Sequence, residues 1–486
     1  MVGIVAYGGY VPRLRLARKA IVEANAWSNA ALKGGGKDER AICNWDEDAL
    51  TMAVEAARDC LQPAERGQLK AVYLASTTLP FQDRLNSGVA AEALNLGDNL
   101  ETLDITSSQR AGTSGLIAAA RTAAAGGGPL LFLTAEKRRT RAASPQELSY
   151  GDGGAALLLD KGPGIAELVA HESKAVDFVD HYRGDGRPYD YTWEERWIRD
   201  EGYNKIVPPV VKALLDKAKV KGADVTHFIL PCTIARVAAG IAKKLGMPDS
   251  AVRDNLASAM GEAGTAHPLV MLVHTLQDAK PGDKIVVASF GQGCDALLFE
   301  VKPEIAKLAP RLGIKGFLAR RKPETNYNKF IAWNQVVDQE KGMRAELDKQ
   351  TALTTLYRKS GMLTGLLGGK CTKCGTLQYP KSKICVNPNC NAMHSQEDQP
   401  FADMPARILS YTADLLTYSP DPPQHYGMVQ FEDGGRLMAD FTDVDVGKVD
   451  AGMPMRMVFR VKEYDPARGF TKYFWKATPA AGASAG

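Results

Sequence analysis

Short apolar runs alternate with alanine-rich amphipathic stretches over residues 1–302, and this alternation constrains the fold more than any other feature. The runs lack a polar residue at every second position, which is typical of parallel strands buried on both faces. They lie at residues 71–75, 129–134, 155–159, 228–230, 284–288 and 296–301. Helices are predicted between them, at residues 48–61, 115–125 and 235–245. The sequence therefore predicts an α/β fold.

The alternation contains an internal repeat. The run at 129–134 is followed by a glycine-rich turn and an apolar strand at 153–159, and the run at 284–289 is followed in the same way by 293–299. Such a repeat predicts a duplicated α/β unit. We place this first domain at residues 1–302, with halves at 1–165 and 166–302.

Composition excludes several classes of protein. The chain has 486 residues, is 45% hydrophobic and 24% charged, and carries a formal net charge of +4. These values are typical of globular proteins, and the charge is too small to indicate a nucleic-acid partner. No apolar run reaches the length of about 18 residues that a membrane span needs, and the first residues do not resemble a signal peptide. We therefore expect a cytoplasmic protein with no membrane or nucleic-acid partner.

The eight cysteines fall into two groups. Four are scattered through the first domain, which is unlike a disulfide framework and favours a reducing compartment. These are Cys43, Cys60, Cys232 and Cys294. The other four form two close pairs, Cys371 with Cys374 and Cys385 with Cys390. Four thiolates at this spacing predict a closed, structural zinc site, in which His394 is an alternative to Cys390.

The chain after residue 302 differs from the first domain. Residues 303–345 show no clear period and are predicted to be a linker, and residues 346–400 a helix followed by the zinc ribbon. Residues 401–477 contain short alternating β-runs, which predict a small antiparallel barrel of the OB type. Seven acidic residues between 414 and 445 make this barrel a poor partner for nucleic acid. Residues 478–486 are predicted to be disordered.

Several stretches resemble one superfamily. Residues 1–12 and 46–57 resemble the opening of bacterial and archaeal hydroxymethylglutaryl-CoA synthases. Residues 151–155 (GDGGA) and 289–293 (SFGQG) resemble two glycine loops of type III ketoacyl synthases. This resemblance implies the duplicated thiolase fold in five αβαβα layers, a homodimer, and action on coenzyme A thioesters. Residues 345–477 resemble the rubredoxin-like zinc-ribbon and OB-fold proteins that accompany thiolase-like enzymes.

The superfamily's chemistry needs a cysteine nucleophile, a histidine base and, in the synthases, a glutamate acid. Matched by their flanking residues, these positions fall on Gln109, Cys232 and Thr77. An acyl-enzyme needs a nucleophile that attacks the thioester and later leaves, which an amide cannot do. The resemblance thus implies a thioester site without the usual cysteinyl intermediate. Cys232 is either a relocated nucleophile or a small buried residue.

Residues 261–268 (GEAGTAHP) resemble the loop in which the family carries an asparagine that polarises the thioester carbonyl. Either Glu262 or Gly264 falls at the asparagine position, and the His-Pro pair is similar to the loop histidine of degradative thiolases. We expect Glu262 and His267 to act as acid and base; helix capping by Glu262 and packing of His267 are the alternatives. The substrate is also expected to contact four residues of these motifs: Thr77, Ser108, Phe290 and Gly291.

Two further segments are candidates for binding the substrate. The densest basic run of the first domain follows the strand at 129–134 and is expected to bind the coenzyme A phosphates, with a solvated loop or dimer contact as the alternative. Its cations are Lys137, Arg138, Arg139 and Arg141. Residues 182–193 form an aromatic and basic insert that either covers an acyl pocket or packs as a loop. Tyr182 and Tyr189 of this insert are reserve acid/base candidates.

The sequence therefore favours an enzyme that makes or breaks a C–C bond of an acyl-CoA, with Gln109 as an oxyanion donor. The favoured reaction is retro-aldol or related cleavage of a β-hydroxy- or β-ketoacyl-CoA, and another acyl-CoA enzyme is a candidate partner. One alternative is a condensing acyltransferase similar to hydroxymethylglutaryl-CoA synthase, with Cys232 or Cys294 as nucleophile. The other is a non-catalytic scaffold that binds coenzyme A.

Overall fold

The computed structural model describes residues 1–346, 350 and 352–480 of the chain, without the side chain of Ala64. These residues form two compact units. Unit 1 contains Met1–Cys43, Asp48–Gly88 and Asp98–Val337, and unit 2 contains Asn44–Glu47, Val89–Gly97 and the chain from residue 338 onward. Within the described ranges, every helix is too short or too polar to traverse a lipid bilayer.

The strands of unit 1 include all of the predicted runs. They are β1 Val2–Tyr10, β2 Leu14–Ala17, β3 Glu39–Ile42, β4 Ala71–Ala75, β5 Glu101–Ile105, β6 Leu130–Glu136, β7 Gly153–Lys161, β8 Ala166–Ala175, β9 His181–Tyr182, β10 Tyr191–Thr192, β11 His227–Ile229, β12 Lys284–Phe290, β13 Gly293–Val301 and β14 Lys322–Glu324.

The α-helices up to residue 333 include the three that were predicted. They are α1 Arg18–Asn25, α2 Ala49–Cys60, α3 Asn86–Ala93, α4 Ala111–Thr122, α5 Gln146–Ser149, α6 Glu195–Trp197, α7 Asn204–Ala218, α8 Val237–Lys244, α9 His267–Leu276, α10 Gly313–Ala319 and α11 Tyr327–Trp333. Helix α2 begins with a capping box, in which Asp48 and Thr51 each bond the other's backbone amide through their side chains.

Nine strands form one sheet in the order β11-β12-β13-β8-β1-β7-β6-β4-β5. Strands β4, β5 and β6 are parallel, and β7 runs antiparallel to β6 and β1. The second half repeats this pattern, because β11 and β12 are parallel and β13 runs antiparallel to β12 and β8. Strands β1 and β8 meet at Gly3 and Ile4. The strand pattern agrees with the predicted duplication.

The helices divide this sheet into layers. Helices α4 and α9 contact each other, and between them they contact strands of both halves. Helix α2 packs on β1, β6 and β7, while α7 packs on β8, β12 and β13. The paired helices therefore lie at the centre, with a half-sheet and then an outer helix on either side. Nearly every residue of α9 is buried, as a central layer requires.

Residues 303–337 differ from the predicted linker. Helices α10 and α11 belong to unit 1, and β14 pairs in parallel with β2. The side chains of Phe317, Tyr327 and Phe330 are buried, and Arg40 lies over the Phe330 ring. The aromatic residues thus bury apolar area against unit 1, so this range folds with it although its sequence has no clear period.

Unit 2 contains the ribbon and the barrel. Its elements are α12 Leu353–Arg358, α13 Ser360–Leu363, β15 Leu367–Cys371, β16 Leu377–Gln378, β17 Gln396–Pro400, β18 Ala406–Asp414, β19 Gln424–Phe431, β20 Arg436–Asp440, β21 Pro454–Asp465 and β22 Phe470–Pro479. The ribbon sheet has the order β16-β15-β17, and the five-stranded barrel sheet has the order β20-β19-β18-β21-β22. The prediction of a helix before the ribbon covers partly undescribed residues, and from residue 481 the predicted disordered tail lies outside the described residues.

The barrel carries a buried group of charges around segment Asn44–Glu47. Lys476 donates to Asp46 at 2.8 Å, and Arg460 lies 3.1 Å from Glu47 and 2.9 Å from Asp443. Burial lowers the pKa of Lys476, while Asp46 acts in the opposite direction. Buried charges are tolerated where they are paired in this way, so these contacts hold the segment on β21 and β22.

Candidate active site

Gln109, the residue that the sequence predicts at the family's nucleophile position, lies in the turn between β5 and α4. Ser107 adopts the left-handed backbone conformation (φ 75°), which is uncommon for a residue with a Cβ and is found often at functional sites. The Ser108 hydroxyl accepts from the Arg110 amide at 3.1 Å. A Cβ on Gly291 would lie 3.2 Å from that amide nitrogen and 3.4 Å from the Gln109 Cβ. Glycine therefore lets the two predicted loops meet.

His181 lies against Gln109. Its Nε2 is 2.9 Å from the side-chain nitrogen of Gln109, and its Nδ1 is 2.9 Å from Oδ2 of Asp180. Because an amide nitrogen only donates, Nε2 is the acceptor, and Nδ1 carries the proton that is donated to Asp180. The His181 and Asp180 side chains are 15% and 11% exposed. An imidazole whose Nδ1 is oriented by a carboxylate and whose Nε2 acts as an acceptor has the form of a general base.

The hairpin β9–β10 holds His181 in this position. Thr192 pairs with His181, Tyr191 pairs with Tyr182, and the Trp193 amide donates to the Asp180 carbonyl at 2.8 Å. Because side chains alternate between the faces of a strand, Tyr182 points away from His181, and it is 53% exposed. The aromatic insert therefore contributes its histidine to the site, whereas Tyr182 lies on the outer side.

A buried guanidinium connects the hairpin to the loop of residues 261–268. Arg138 donates to Asp190 at 2.8 Å and also to Glu262. Asp190 accepts from Arg183 at 2.9 Å, and Arg183 donates to the carbonyl of Thr77. Burial raises the pKa of Asp190, but Arg138 and Arg183 outweigh burial, so the pKa lies below its ordinary value. Asp190 is therefore ionised and serves both guanidiniums.

Thr77, the residue that the sequence predicts at the family's glutamate position, is held by Glu136. This carboxyl is buried at the end of β6 and accepts from the Thr77 amide at 2.6 Å and the Thr77 hydroxyl at 3.0 Å. It also accepts from the Thr78 hydroxyl at 2.6 Å. Burial raises the pKa of Glu136, although these hydrogen bonds oppose the rise. Glu136 thus acts on the site through Thr77 and Thr78.

The two cysteines considered as nucleophiles are both buried thiols. Burial raises the pKa of Cys232 to about 12, although hydrogen bonds to the Ile234 backbone and to Tyr203 act against it. Burial also raises the pKa of Cys294 far above its ordinary value. The thiolate is the nucleophilic form, and almost none of it is present near neutral pH at such values. This environment favours packing over covalent catalysis.

The loop of residues 261–268 places its two candidates differently from the expectation. His267 is buried at the start of α9, where its Nδ1 accepts from the Ala263 amide at 3.1 Å and its Nε2 donates to the Asn255 carbonyl at 2.7 Å. Burial lowers the pKa of His267. Both ring nitrogens thus have internal partners, which disfavours an acid/base role. Glu262 is paired with Arg138 and is not free to shuttle a proton.

The basic run does not converge on one phosphate site. Arg138 is buried and paired, Arg139 donates to the Asn334 carbonyl at 3.0 Å, and Arg141 lies over the Tyr189 ring. The Lys137 amide donates to the Thr78 hydroxyl at 3.0 Å. The segment after a buried strand sends successive side chains in different directions, so closeness in sequence did not become closeness in space.

An aromatic row lies beside Cys232. Phe290 is buried, with its ring centroid 4.5 Å from Tyr203 and 5.9 Å from Phe178, which in turn stacks on Trp197. Burial and the neighbouring Cys232, Glu262 and Asp180 raise the pKa of Tyr203 well above its ordinary value. The phenol is therefore protonated and donates to the Pro231 carbonyl at 3.3 Å.

Sequence reasoning missed His181, Asp180 and Glu136. His181 and Asp180 precede the insert that was noted for its aromatic and basic residues, and the chain has only seven histidines. The Asp180-His181 pair beside that insert is the sequence signal that could have indicated a base. Glu136 gave no signal, because only the fold brings it to Thr77.

The second predicted site lies in unit 2. One sulfur each of Cys371, Cys374, Cys385 and Cys390 lies within 4.8 Å of the others. A tetrahedral zinc with Zn–S bonds of about 2.3 Å has sulfurs roughly 3.8 Å apart. The 3.9 Å between Cys371 and Cys390 and the 3.5 Å between Cys374 and Cys385 fit this geometry. The four thiols form the group, and His394, the alternative to Cys390, is not a member.

Three family models match parts of the chain. Residues 215–300 match the C-terminal part of 3-oxoacyl-[acyl-carrier-protein] synthase III. Residues 365–392 match the rubredoxin-like zinc ribbon domain of ChsH2, and residues 400–460 match the C-terminal OB-fold domain of ChsH2. The predicted ribbon and OB-fold are thus confirmed.

Among curated proteins, the hydroxymethylglutaryl-CoA synthase of Archaeoglobus fulgidus is 30% identical over 309 residues, which is 62% of this chain and 89% of that protein. The chain belongs to the hydroxymethylglutaryl-CoA synthase family. The synthase of Methanobrevibacter smithii is 29% identical over 64% of this family member and 93% of the relative. The match therefore extends over nearly the whole of each relative.

Solved structures show the same fold as this synthase-family chain. A hydroxymethylglutaryl-CoA synthase complexed with CoA has a TM-score of 0.59 at 18% identity, over 82% of this chain and 99% of that one. The 3-oxoacyl-(acyl carrier protein) synthase III of Pseudomonas aeruginosa has a TM-score of 0.55 at 20% identity, over 62% and 98%. The predicted thiolase-like fold is confirmed.

Proposed function

We propose that the chain acts on an acyl-CoA thioester and breaks the Cα–Cβ bond of a β-hydroxyacyl-CoA without a cysteinyl intermediate. The observation that carries this proposal is the hydrogen-bonded series Gln109–His181–Asp180 at the position of the family's cysteine. The relatives are named hydroxymethylglutaryl-CoA synthases, and a structure with the same fold contains CoA. Both support a coenzyme A thioester as the substrate.

The proposed reaction is a retro-aldol cleavage. The substrate's β-hydroxyl replaces the Gln109 amide as the partner of His181 Nε2, and this nitrogen takes the hydroxyl proton. The β-carbon becomes a carbonyl, the Cα–Cβ bond breaks, and its electron pair passes to the thioester enolate. The freed Gln109 amide donates to the enolate oxygen. The imidazolium, held by Asp180, then returns the proton to the α-carbon.

The cysteines support this route over acyl transfer. Acyl transfer needs a thiolate that can reach the thioester, whereas burial raises the pKa of Cys232 to about 12. Cys294 is fully buried. An enolate route needs only a base, a donor for the oxyanion and a substrate carbonyl held beside them. His181 of the hairpin β9–β10 offers the base, and Gln109 offers the donor.

A condensing acyltransferase is the second candidate, because the relatives are named as synthases. In this case Cys232 would be the nucleophile, with Tyr203 as its hydrogen-bond partner. The two candidates differ in one chemical respect: the acyltransferase passes through a covalent acyl-enzyme, and the lyase does not.

The test uses the full-length protein with a panel of β-hydroxyacyl-CoA thioesters. Mass spectrometry of the small molecules should detect the shortened acyl-CoA and an aldehyde or ketone in equal amounts. Mass spectrometry of the intact protein during turnover should find no added acyl group. An acyl adduct on a cysteine would establish the acyltransferase. Binding of CoA without any turnover would favour the non-catalytic scaffold.

We also propose a homodimer that forms through unit 1. Strand β5 lies at one end of the nine-stranded sheet, and its residues are partly or fully exposed. An edge strand of this kind presents unpaired backbone groups that a second copy can pair with. A monomer in light scattering at micromolar concentration would contradict the proposal. A further acyl-CoA enzyme also stays a candidate partner.

A further inference from the structure

The cations around His181 are already matched with carboxylates. Arg138 is buried and bonds both Asp190 and Glu262, and Arg183 bonds Asp190 from the other side. These contacts use the guanidiniums in charge-assisted pairs. A substrate carboxylate could recruit either arginine only by displacing one of these buried or half-buried partners, which would leave a carboxylate without its cation.

The balance of charge beside the base is negative. Three carboxylates, those of Asp180, Asp190 and Glu262, face two guanidiniums, those of Arg138 and Arg183. Oδ2 of Asp180 accepts from His181, whereas Oδ1 is buried and has no hydrogen-bond partner among the described residues. Next to this group, Arg110 is paired with Asp295 at 3.0 Å. The cations named here leave no surplus positive charge for an incoming anion.

These groups share one site with the reacting position. Phe290 directly precedes Gly291, which lies against Gln109, and the Phe290 ring packs on Tyr203; His181 touches Gln109. The aromatic row from Tyr203 to Trp197 continues the site with apolar surface. The acyl part of a thioester at Gln109 therefore meets aromatic rings, the imidazole of His181 and excess carboxylate.

We propose that the acyl group of the substrate carries no second carboxylate, so that the site takes uncharged β-hydroxyacyl thioesters and rejects dicarboxylic ones. The inference rests on the proposed function, since it assumes that the thioester is bound at Gln109 and His181. The substrate's β-hydroxyl can donate a hydrogen bond here, because a carboxylate-rich site accepts hydrogen bonds readily. A carboxylate at the same place faces like charge, which costs several-fold or more in affinity.

The inference separates this chain from its relatives. Hydroxymethylglutaryl-CoA, after which the relatives are named, carries a free carboxylate at the end of its acyl group. If the paired charges only held the hairpin in place, replacing Asp190 would loosen the hairpin and weaken both kinds of thioester equally. If they set selectivity, the same change would act on the charged thioester alone, because it removes one negative charge and frees the donors of Arg183 and Arg138 that face Asp190, while Arg138 stays paired with Glu262.

The experiment is equilibrium binding of two matched thioesters to the full-length protein by calorimetry, at a temperature low enough that mass spectrometry detects no cleavage during the titration. The probes are 3-hydroxy-3-methylbutyryl-CoA and 3-hydroxy-3-methylglutaryl-CoA, which differ only by the terminal carboxylate, with free CoA as reference. The neutral thioester should bind at least about tenfold more tightly, as expected for a like-charge penalty. In Asp190→Asn the preference should shrink to about threefold or reverse. Asp216→Asn, an exposed carboxylate on α7, should keep the wild-type preference.

Equal or tighter binding of the charged thioester to the wild type would overturn the inference. An Asp190→Asn protein with the preference intact would also overturn it. If circular dichroism shows that this variant does not fold, Glu262→Gln removes the other carboxylate paired with Arg138, and the same loss of preference is expected. Because binding needs no turnover, a preference for the neutral thioester without any cleavage would support the inference while contradicting the lyase. Thioesters that bind no better than free CoA would contradict both.

Discussion

The zinc ribbon and the Gln109 site relate sequence to chemistry in opposite ways. In the ribbon, the four cysteines whose spacing predicts a metal site also converge in space. In the Gln109 site, the groups that meet the predicted position, His181 and Asp180, come from a separate segment that no motif predicted. Chelation over short spacing is encoded locally, whereas a catalytic group can be supplied from any segment that the fold brings near.

The largest expected effect is in the ribbon. Replacing Cys371 by serine should abolish zinc binding and unfold the ribbon, because a structural zinc site contributes on the order of 10 kcal/mol to so small a core. Metal analysis of the purified protein and limited proteolysis of residues 365–400 measure this. His394→Ala is the matched control and should keep one zinc per chain. Full zinc content in Cys371→Ser would mean that Cys371 is not a zinc ligand and that the cysteine spacing does not predict the metal site.

The next effect concerns the base. His181→Ala should lower turnover of a β-hydroxyacyl-CoA by about a hundred- to ten-thousandfold, the usual range for general acid–base help. Steady-state rates across pH measure it, and Asp180→Asn should show a smaller loss.

His227→Ala provides a matched control for that experiment. His227 also pairs with an aspartate, Asp283 at 3.1 Å, and is similarly shielded, but it lies at the start of β11. Its loss should leave turnover within about threefold, since it touches no group of the Gln109 site. Equal losses in both variants would mean that removing any buried His–Asp pair damages the fold, and would contradict the role of His181.

The sequence predicted the fold better than the site for a physical reason. Burial of apolar strands and helices leaves a periodic pattern, so the strands at 71–75 and 284–288 and the helix at 48–61 were identified. The range 303–337 was missed because its aromatic side chains bury area without a period. His181 was missed because it reaches Gln109 across 72 positions, and such a contact leaves no local pattern.

A stability effect is expected where the sequence predicted catalysis. His267→Ala removes two buried hydrogen bonds, to Ala263 and Asn255, which should cost about 1–3 kcal/mol in the free energy of unfolding. Denaturant unfolding measures this, and turnover per folded molecule should stay within about threefold of wild type. An unchanged unfolding midpoint with a hundredfold loss of turnover would restore the acid/base role.

The pH dependence of the same variant sharpens the comparison. Burial lowers the pKa of His267 in the folded protein, so the unfolded chain binds the proton first as pH falls. Wild-type stability should therefore decrease as pH drops below about 6.5, the ordinary value for histidine. His267→Ala should lose this contribution, and its unfolding midpoint should vary less between neutral pH and pH 5.

The smallest effect is expected at Cys232, where the structure and the acyltransferase alternative disagree most directly. Its thiol is buried, has a pKa raised to about 12 and donates to the Ile234 carbonyl at 3.9 Å, while its own carbonyl accepts from Asn255 at 2.8 Å. Serine keeps both contacts and removes only the sulfur, so Cys232→Ser should retain turnover within about threefold if no acyl-enzyme forms. Iodoacetamide should label Cys232 slowly in the folded protein, with the same rate in the presence of substrate. A loss of several orders of magnitude in Cys232→Ser, together with fast labelling that substrate prevents, would make this cysteine the nucleophile and contradict the lyase mechanism.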